Sequence, residues 1–189
     1  MWNNPNESRA GLTGQVYVAP VGTALPTTPS AALNSAFVGL GFHTEDGISL
    51  SAPVNVTEYG AWQTKYPIRR EVDSREFMFT FSLLQFNEET VKLAFGGGSF
   101  TSVSGGYKFS PPTATDAIDE RSLVADIDDG TERTRFIIPR GSVTEGVDTQ
   151  FTRSALSQLN VSFKALFPAD GSLPWYYLDS DTTAYAAGS

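Results

Sequence analysis

Few residues of this chain have the type and spacing that catalysis requires. The single histidine, His43, would have to serve in any histidine-based triad, and no serine lies in a nucleophile-elbow motif. The absence of cysteine excludes thiolate chemistry, disulfides and cysteine metal sites. Glu88 and Glu89 are adjacent on a predicted helix and do not face each other, so they make no glycosidase pair. The sequence therefore predicts no catalytic residue, no cofactor, no metal and no enzymatic activity.

Two clusters leave alternatives open. The acidic residues of the segment 126–132 superficially suggest a calcium loop but lack its late bidentate glutamate, and we favour a hairpin turn at Asp129-Gly130. The aromatic residues of the segment 174–177 could stack on sugar rings, which keeps a carbohydrate-binding module as the alternative function. The competing interpretation of the second cluster is a C-terminal strand that covers the core or contacts another subunit.

The charge balance limits the partners of the chain. The formal net charge is −8, and the densest basic positions are the pair Arg69-Arg70 and the pair Arg133 and Arg135. A protein that grips nucleic acid needs several cations facing phosphates, so this chain does not grip DNA, although DNA could slide past it. No apolar stretch reaches membrane-spanning length and the N-terminus has no apolar signal region, so we expect synthesis in a cytoplasm and no membrane contact.

Alternation of apolar and polar residues with a period of two dominates the sequence and is typical of strands with one buried face. Three long strands are predicted at residues 47–57, 75–84 and 156–167. Shorter strands are predicted at residues 15–19, 37–42, 123–128 and 134–138. Residues 21–35 are rich in Ala, Thr and Pro and predict a long loop, and Glu45-Asp46-Gly47 predicts a turn.

One segment departs from the alternation and predicts a short helix at residues 87–96. Asn87 can cap its first turn, Val91, Ala94 and Phe95 form an apolar stripe, and Gly96 suits the C′ position. We therefore predict a mainly β protein: a β-sandwich or barrel-like fold with one short flanking α-helix, forming a single domain over residues 1–189.

The polar faces of the three long strands carry mainly Ser, Thr, Asn and Gln instead of Lys and Glu. Such a face suits a wet channel that must not adhere to what passes through it. An ordinary solvent face with few charges is the alternative.

The segment that joins the first two long strands, residues 57–71, combines aromatic residues with arginines, the types enriched at interface hot spots. The alternative is that Trp62 folds back on its own core. The candidate inter-subunit contacts are Tyr59, Trp62, Gln63, Tyr66, Arg69 and Arg70.

Six runs of the sequence have a recognisable order and spacing: residues 14–26, 36–42, 44–48, 61–63, 75–84 and 87–95. Together they resemble the major tail proteins, or tail tube proteins, of long non-contractile-tailed phages, most closely the phages of actinobacteria. The resemblance covers roughly the first half of the chain and, more loosely, residues 154–177; little is recognisable between residues 98 and 146.

The resemblance implies a β-sandwich subunit of a virion tail, assembled in the bacterial host cytoplasm into hexameric rings that stack into a tube. An N-terminal arm (residues 1–12) and the long loop (residues 57–71) would reach neighbouring subunits, and residues 182–189 would form a loose tail. The implied partners are other copies of the chain, a tape measure protein, a tail terminator and distal tail or baseplate proteins, while DNA passes through without specific binding.

An acidic, hydroxyl-rich inner wall would repel phosphates and offer them few cationic partners. Glu76 lies on the polar face of its predicted strand and is the first acidic candidate for this wall, ahead of Asp126 and Asp128. The candidate lumen-facing residues are Ser49, Ser51, Asn55, Thr57, Glu76, Thr80, Ser82, Gln158, Asn160 and Ser162.

Overall fold

The structure, a computed structural model, describes residues 8–182 and confirms a mainly β fold with one short helix. Most of the predicted N-terminal arm and nearly all of the predicted C-terminal tail lie outside these described residues. The elements in chain order are β1 (Thr13–Pro20), β2 (Val38–Gly39), β3 (His43–Ser51), β4 (Val54–Ala61), β5 (Thr64–Arg75), β6 (Met78–Leu83), α1 (Glu88–Ala94), β7 (Ser99–Val103), β8 (Gly106–Ser110), β9 (Glu120–Asp128), β10 (Arg133–Val143), β11 (Leu159–Ala165) and β12 (Tyr176–Asp179).

One antiparallel sheet forms the body, in the order β2-β1-β9-β10-β11-β6-β3, with β12 also paired to β10. Strand β10 changes neighbours along its length: its first residues pair with β12, its last with β11, and the register shifts between Ile138 and Gly141. A Cβ atom at Gly141 would lie 2.4 Å from the Phe163 ring, so only glycine permits this approach. The sheet therefore folds over on itself, although within residues 8–182 it closes no barrel.

The core lies between the two halves of this folded sheet. The predicted apolar faces of β6 and β11 are both buried there, and the Phe79 ring meets the Phe136 ring of β10 edge-on at 5.5 Å. Val16, Val18, Leu123 and Ile138 complete the opposite wall. The alternation would place Phe167 on the same face as Phe163, but Phe167 is exposed because β11 ends at Ala165.

The predicted long strand at residues 47–57 is two strands. It divides at Ala52-Pro53, where proline offers no N–H to a sheet ladder, and β4 then leaves the body. The predicted turn at residues 45–47 is likewise wrong: these residues belong to β3, where the register against β6 shifts between His43 and Ile48. Gly47 has a φ of 70°, which suits such an irregularity.

The helix forms as its capping residues predict. The Asn87 side chain accepts from the Thr90 amide, and the Thr90 hydroxyl accepts from the Asn87 amide. Gly96, with a φ of 68°, ends the helix at C′. The buried face is formed by Thr90, Leu93 and Ala94; Phe95, predicted within the apolar stripe, packs instead on Phe109 of β8 at 5.3 Å.

The long loop between β1 and β2 is held by a buried ion pair. Arg135 of β10 binds Asp126 of β9 through two hydrogen bonds of 2.6 and 2.8 Å. The same guanidinium donates to the carbonyl oxygens of Thr28 and Ala31, so one arginine fixes the loop against the sheet. This loop lies over the outer face on which Val124 and Ile137 are fully buried.

Candidate functional site

The most distinctive surface is a β-hairpin that leaves the body at Val54 and returns at Arg75. Among residues 8–182, strands β4 and β5 pair only with each other, as a separate two-stranded sheet. Twelve residues of β5 give the hairpin a length of about 40 Å. Residues 57–71, predicted as a connecting loop, thus form most of a projection whose two outer strand edges have no strand partner in the described part of the chain.

The two faces of this hairpin differ in chemistry. One face is cross-linked by polar side chains: Asn55 donates to Ser74, Thr57 to Asp73 and Tyr59 to Glu71. The opposite face carries an ion pair between Arg70 and Glu58 at 2.5 Å. It also carries apolar side chains that nothing in the described chain covers, namely Val56, Tyr66, Ile68 and Val72.

All six candidate contact residues lie on this hairpin. Tyr59, Tyr66, Arg69 and Arg70 belong to its strands, and Trp62 and Gln63 form its turn. Trp62 is 99% exposed, so the interpretation that it folds back on its own core is wrong. Tyr66 is 81% exposed. The hairpin therefore collects the residue types of an interface: Tyr59, Arg69 and Arg70 bond to carboxylates of the same hairpin, whereas the rings of Trp62 and Tyr66 stay exposed.

A polar face runs along the outer side of β3, β6 and β11. Ser49, Thr80 and Ser162 lie directly opposite one another across these strands. Ser82 donates to Asn160 at 2.7 Å, which ties the next pair together. Ser162 donates to Glu145 and is buried beneath the segment that follows β10, so its hydroxyl is not an open part of this face. Six of the lumen candidates thus share one face: Ser49, Ser51, Thr80, Ser82, Asn160 and Ser162.

The other four lumen candidates do not share those strands. Asn55 and Thr57 lie on the hairpin, because the predicted strand divides at Pro53. Gln158 precedes β11. Glu76 lies between β5 and β6 and makes an ion pair of 2.8 Å with Lys164, so its charge is partly neutralised.

The two weaker acidic candidates are also paired. Asp126 is 7% exposed and bound by Arg135, and Asp128 is bound by Arg133 at 2.9 Å. Neither is therefore a free negative charge on a wall. The turn that follows them confirms the Asp129-Gly130 hairpin: the Asp129 side chain accepts from the amides of Thr131 and Glu132, and these bonds lower the pKa of Asp129.

The described ends of the chain meet at one arginine. Arg9 lies 2.7 Å from Asp181, 3.6 Å from Asp179 and 3.7 Å from Asp129. The hydrogen bond to Asp181 and the neighbouring carboxylates raise the pKa of Arg9. The described residues just before β1 and just after β12 therefore lie side by side.

A cleft of about 630 Å³ separates β1 from β3, between residues 11–15 on one side and residues 41–48 on the other. The His43 ring packs edge-on against Phe81 at 5.8 Å, and burial lowers the pKa of His43. Nε2 of His43 and Oγ1 of Thr44 are buried without a hydrogen-bond partner among the described residues. No serine hydroxyl is hydrogen-bonded to this histidine in that part of the chain.

The aromatic cluster near the C-terminus belongs to the core. Trp175 stacks on Phe77 with the ring centroids 3.8 Å apart and an interplanar angle of 10°. Tyr176 begins β12, which pairs with β10. The interpretation of a strand that covers the core is confirmed, and the aromatic platform on which sugar binding depended is not formed by Trp175.

Comparison with protein families decides the identity of this β-rich chain. A family model described as "Phage tail tube protein" matches residues 1–188. The chain belongs to the phage tail tube protein family. It is thus a structural tail protein that assembles into a virion with other phage proteins. None of the curated proteins compared with the chain matches it. The tail tube resemblance, carried by short runs in the first half of the sequence and more loosely by residues 154–177, is confirmed, and the family match extends over nearly the whole length.

Residues 8–182 contain neither a cluster of metal ligands nor a helix that could span a membrane. No group of three or more His, Asp or Glu side chains there is placed to hold a metal ion. No helix in that range is both long and apolar enough to cross a membrane.

Proposed function

We propose that this tail tube protein assembles with itself into hexameric rings, and that the rings stack into the tube of a long non-contractile tail. Family membership supports assembly into a tail. The ring, the stacking and a host among the actinobacteria come from the sequence resemblance. The function is mechanical: the subunit forms a conduit for the genome and performs no catalysis.

The observation that carries this proposal is the hairpin of β4 and β5. A two-stranded hairpin alone is marginally stable in water, and exposed strand edges and apolar side chains invite pairing with another chain. Here Trp62, Tyr66 and Ile68 are each at least 66% exposed. In a self-assembling tube every subunit has identical subunits as neighbours, so another copy of the chain is the partner we propose for the hairpin.

The polar face of β3, β6 and β11 is our proposed lumen wall. Hydroxyl and amide groups hydrogen-bond to water and carry no fixed charge, and a net charge of −8 repels phosphate. DNA, and before it a tape measure protein, would contact such a wall without being held. A tail terminator and distal tail or baseplate proteins would close the two ends of the tube, which assembles in the host cytoplasm.

Polymerisation tests the proposal. Concentrated wild-type protein, imaged by negative-stain electron microscopy, is expected to form six-fold rings and tubes. Trp62→Ala is expected to abolish them while leaving a folded monomer by circular dichroism. The matched control is Tyr107→Ala, which removes a 78% exposed aromatic residue from the other hairpin, β7–β8, and is expected to assemble normally. Normal tubes from Trp62→Ala would remove the hairpin contact from the proposal.

A charge placed on the polar face tests the lumen assignment separately. Thr80→Arg puts a cation in the middle of that face, whereas Thr101→Arg puts one on β7 of the other hairpin. Both particles are expected to assemble, and only the Thr80 variant is expected to slow DNA ejection from purified virions. Equal ejection rates would contradict the assignment of this face to the lumen.

A further inference from the structure

The tip of the β4–β5 hairpin has a composition unlike the rest of the chain. Residues 61–70 contain three Lys or Arg and no carboxylate, although the whole chain has a net charge of −8. Arg69 and Arg70 pair with carboxylates of their own hairpin, Glu71 and Glu58. Lys65 makes no ion pair within the described residues, so the tip presents one free cation beside the exposed Trp62.

The cleft between β1 and β3 has the complementary composition. Its lining includes Glu45 and Asp46, both exposed, and includes no Lys or Arg. Leu12 and Phe42 also line it and are 71% and 72% exposed. The cleft thus combines apolar contact area with two carboxylates, neither of which makes an ion pair among the described residues.

Two of the three buried side-chain atoms that lack a hydrogen-bond partner in the described chain belong to this cleft. One of them is Nε2 of His43. The other is Oγ1 of Thr44. Unsatisfied buried polar atoms are rare in folded proteins, which indicates that this cleft is completed by something else.

We propose that the hairpin tip of one copy docks in the β1–β3 cleft of the next copy. Trp62 packs against Leu12 and Phe42, and Lys65 pairs with Glu45 and Asp46. The contact is intermolecular because Trp62 is 99% exposed on its own subunit. Tip and cleft are different surfaces, so the contact is heterologous and propagates from copy to copy. This inference rests on the proposed self-assembly and names the surface that receives the hairpin.

Two variants, each defective in one half of the contact, test the inference by mixing. Glu45→Lys with Asp46→Lys keeps the tip and spoils the cleft; Trp62→Ala with Lys65→Glu keeps the cleft and spoils the tip. Each alone is expected to raise the critical concentration for polymerisation at least tenfold, about 1.4 kcal/mol per contact. Mixed together, they are expected to form a complex through the one intact tip and the one intact cleft, measured by analytical ultracentrifugation. Lys108→Glu on β8 is the control charge reversal and is expected to polymerise like wild type.

The single histidine reports directly on the cleft. With ¹⁵N label only in the tip-defective variant, the His43 imidazole signal is expected to shift when the cleft-defective variant is added. A complex with a shifted His43 signal supports the inference. Absence of a complex, or a complex with an unshifted signal, overturns it. If wild-type protein polymerises while the cleft variant also polymerises normally, the proposed function survives and this docking site does not.

Discussion

The folded sheet and the projecting hairpin share the same alternation of apolar and polar residues, but only the sheet buries its apolar face. Phe79 and Phe81 of β6, and Phe77 just before it, occupy alternate positions, and each is at most 2% exposed. In the hairpin, Val56 and Val72 lie directly opposite each other and remain 44% and 46% exposed. Alternation therefore specifies that a strand has an apolar face, but it does not specify which molecule covers that face.

The difference also separates two sources of stability. The sheet is stabilised by burial of aromatic and aliphatic area between its halves. The hairpin buries little and depends on polar cross-links such as Thr57 to Asp73 at 2.5 Å. Exposed hydrogen bonds of this kind contribute little net free energy, so we expect the hairpin to gain most of its order from a partner.

Truncation of a core ring should have the largest effect on folding. Phe79→Ala removes a ring that is 1% exposed and packs against Phe77 and Phe136. We expect the free energy of unfolding to fall by about 4 kcal/mol, measured by urea denaturation of the monomer. A loss below about 1 kcal/mol would show that the interior is not packed as the structure describes.

Two arginines in ion pairs should give unequal losses. Arg135→Ala leaves Asp126 buried and unpaired and frees the β1–β2 loop, with an expected cost of about 3 kcal/mol. Arg70→Ala breaks an exposed pair on the hairpin and should cost less than about 1 kcal/mol. Urea denaturation of both variants gives the comparison, and equal losses would contradict the contrast between body and hairpin.

The free energy of unfolding should depend weakly on pH through His43, which belongs to the folded sheet and not to the hairpin. Because burial lowers the pKa of His43, the unfolded chain binds more protons than the folded chain as pH falls below about 6.5. Glu45 and Asp46 are the charged groups that line the same cleft as the ring. The free energy of unfolding should therefore fall between pH 7.5 and pH 5.5, and His43→Gln should show less of this dependence. Identical pH profiles for the two proteins would argue against a buried neutral imidazole.

Truncation of Trp62, the most exposed large side chain of the hairpin, should change the free energy of unfolding least. Trp62→Ala removes an indole that makes no packing contact in the monomer, and we expect a change below about 0.5 kcal/mol in the free energy of unfolding. Thermal and urea denaturation should place this variant beside wild type. A loss comparable to that of Phe79→Ala would mean that the hairpin folds back on the body in solution.

The sequence predicted those parts of the fold that local chemistry decides. The cap at Asn87, the glycine at the helix end and the buried face of β6 all follow from residue types at fixed spacing. Gly105-Gly106 is a turn signal in the sequence and lies at the turn between β7 and β8, but the two flanking strands were not predicted.

The sequence predicted which residues form the candidate contact site, but not that they project on a hairpin. Residues 57–71 have interface chemistry, but Pro53 decides that β3 ends there and that the hairpin projects instead of extending the sheet. The Arg135–Asp126 pair could have been recognised from the sequence. Each residue lies two positions from a buried apolar residue on the same strand face, Ile137 for Arg135 and Val124 for Asp126. The cleft beside His43 could not have been recognised from the sequence, because it depends on how closely β1 and β3 approach when the sheet folds over.

Hydrogen exchange of the hairpin amides before and after assembly tests most directly whether β4 and β5 exist to be covered by another copy. In the monomer, these amides should exchange orders of magnitude faster than those of β6 and β10. In tubes, the amides near Trp62 should become protected while those of β6 change little. If hairpin amides exchange equally fast in monomer and tube, the hairpin is not the contact that holds the tube together.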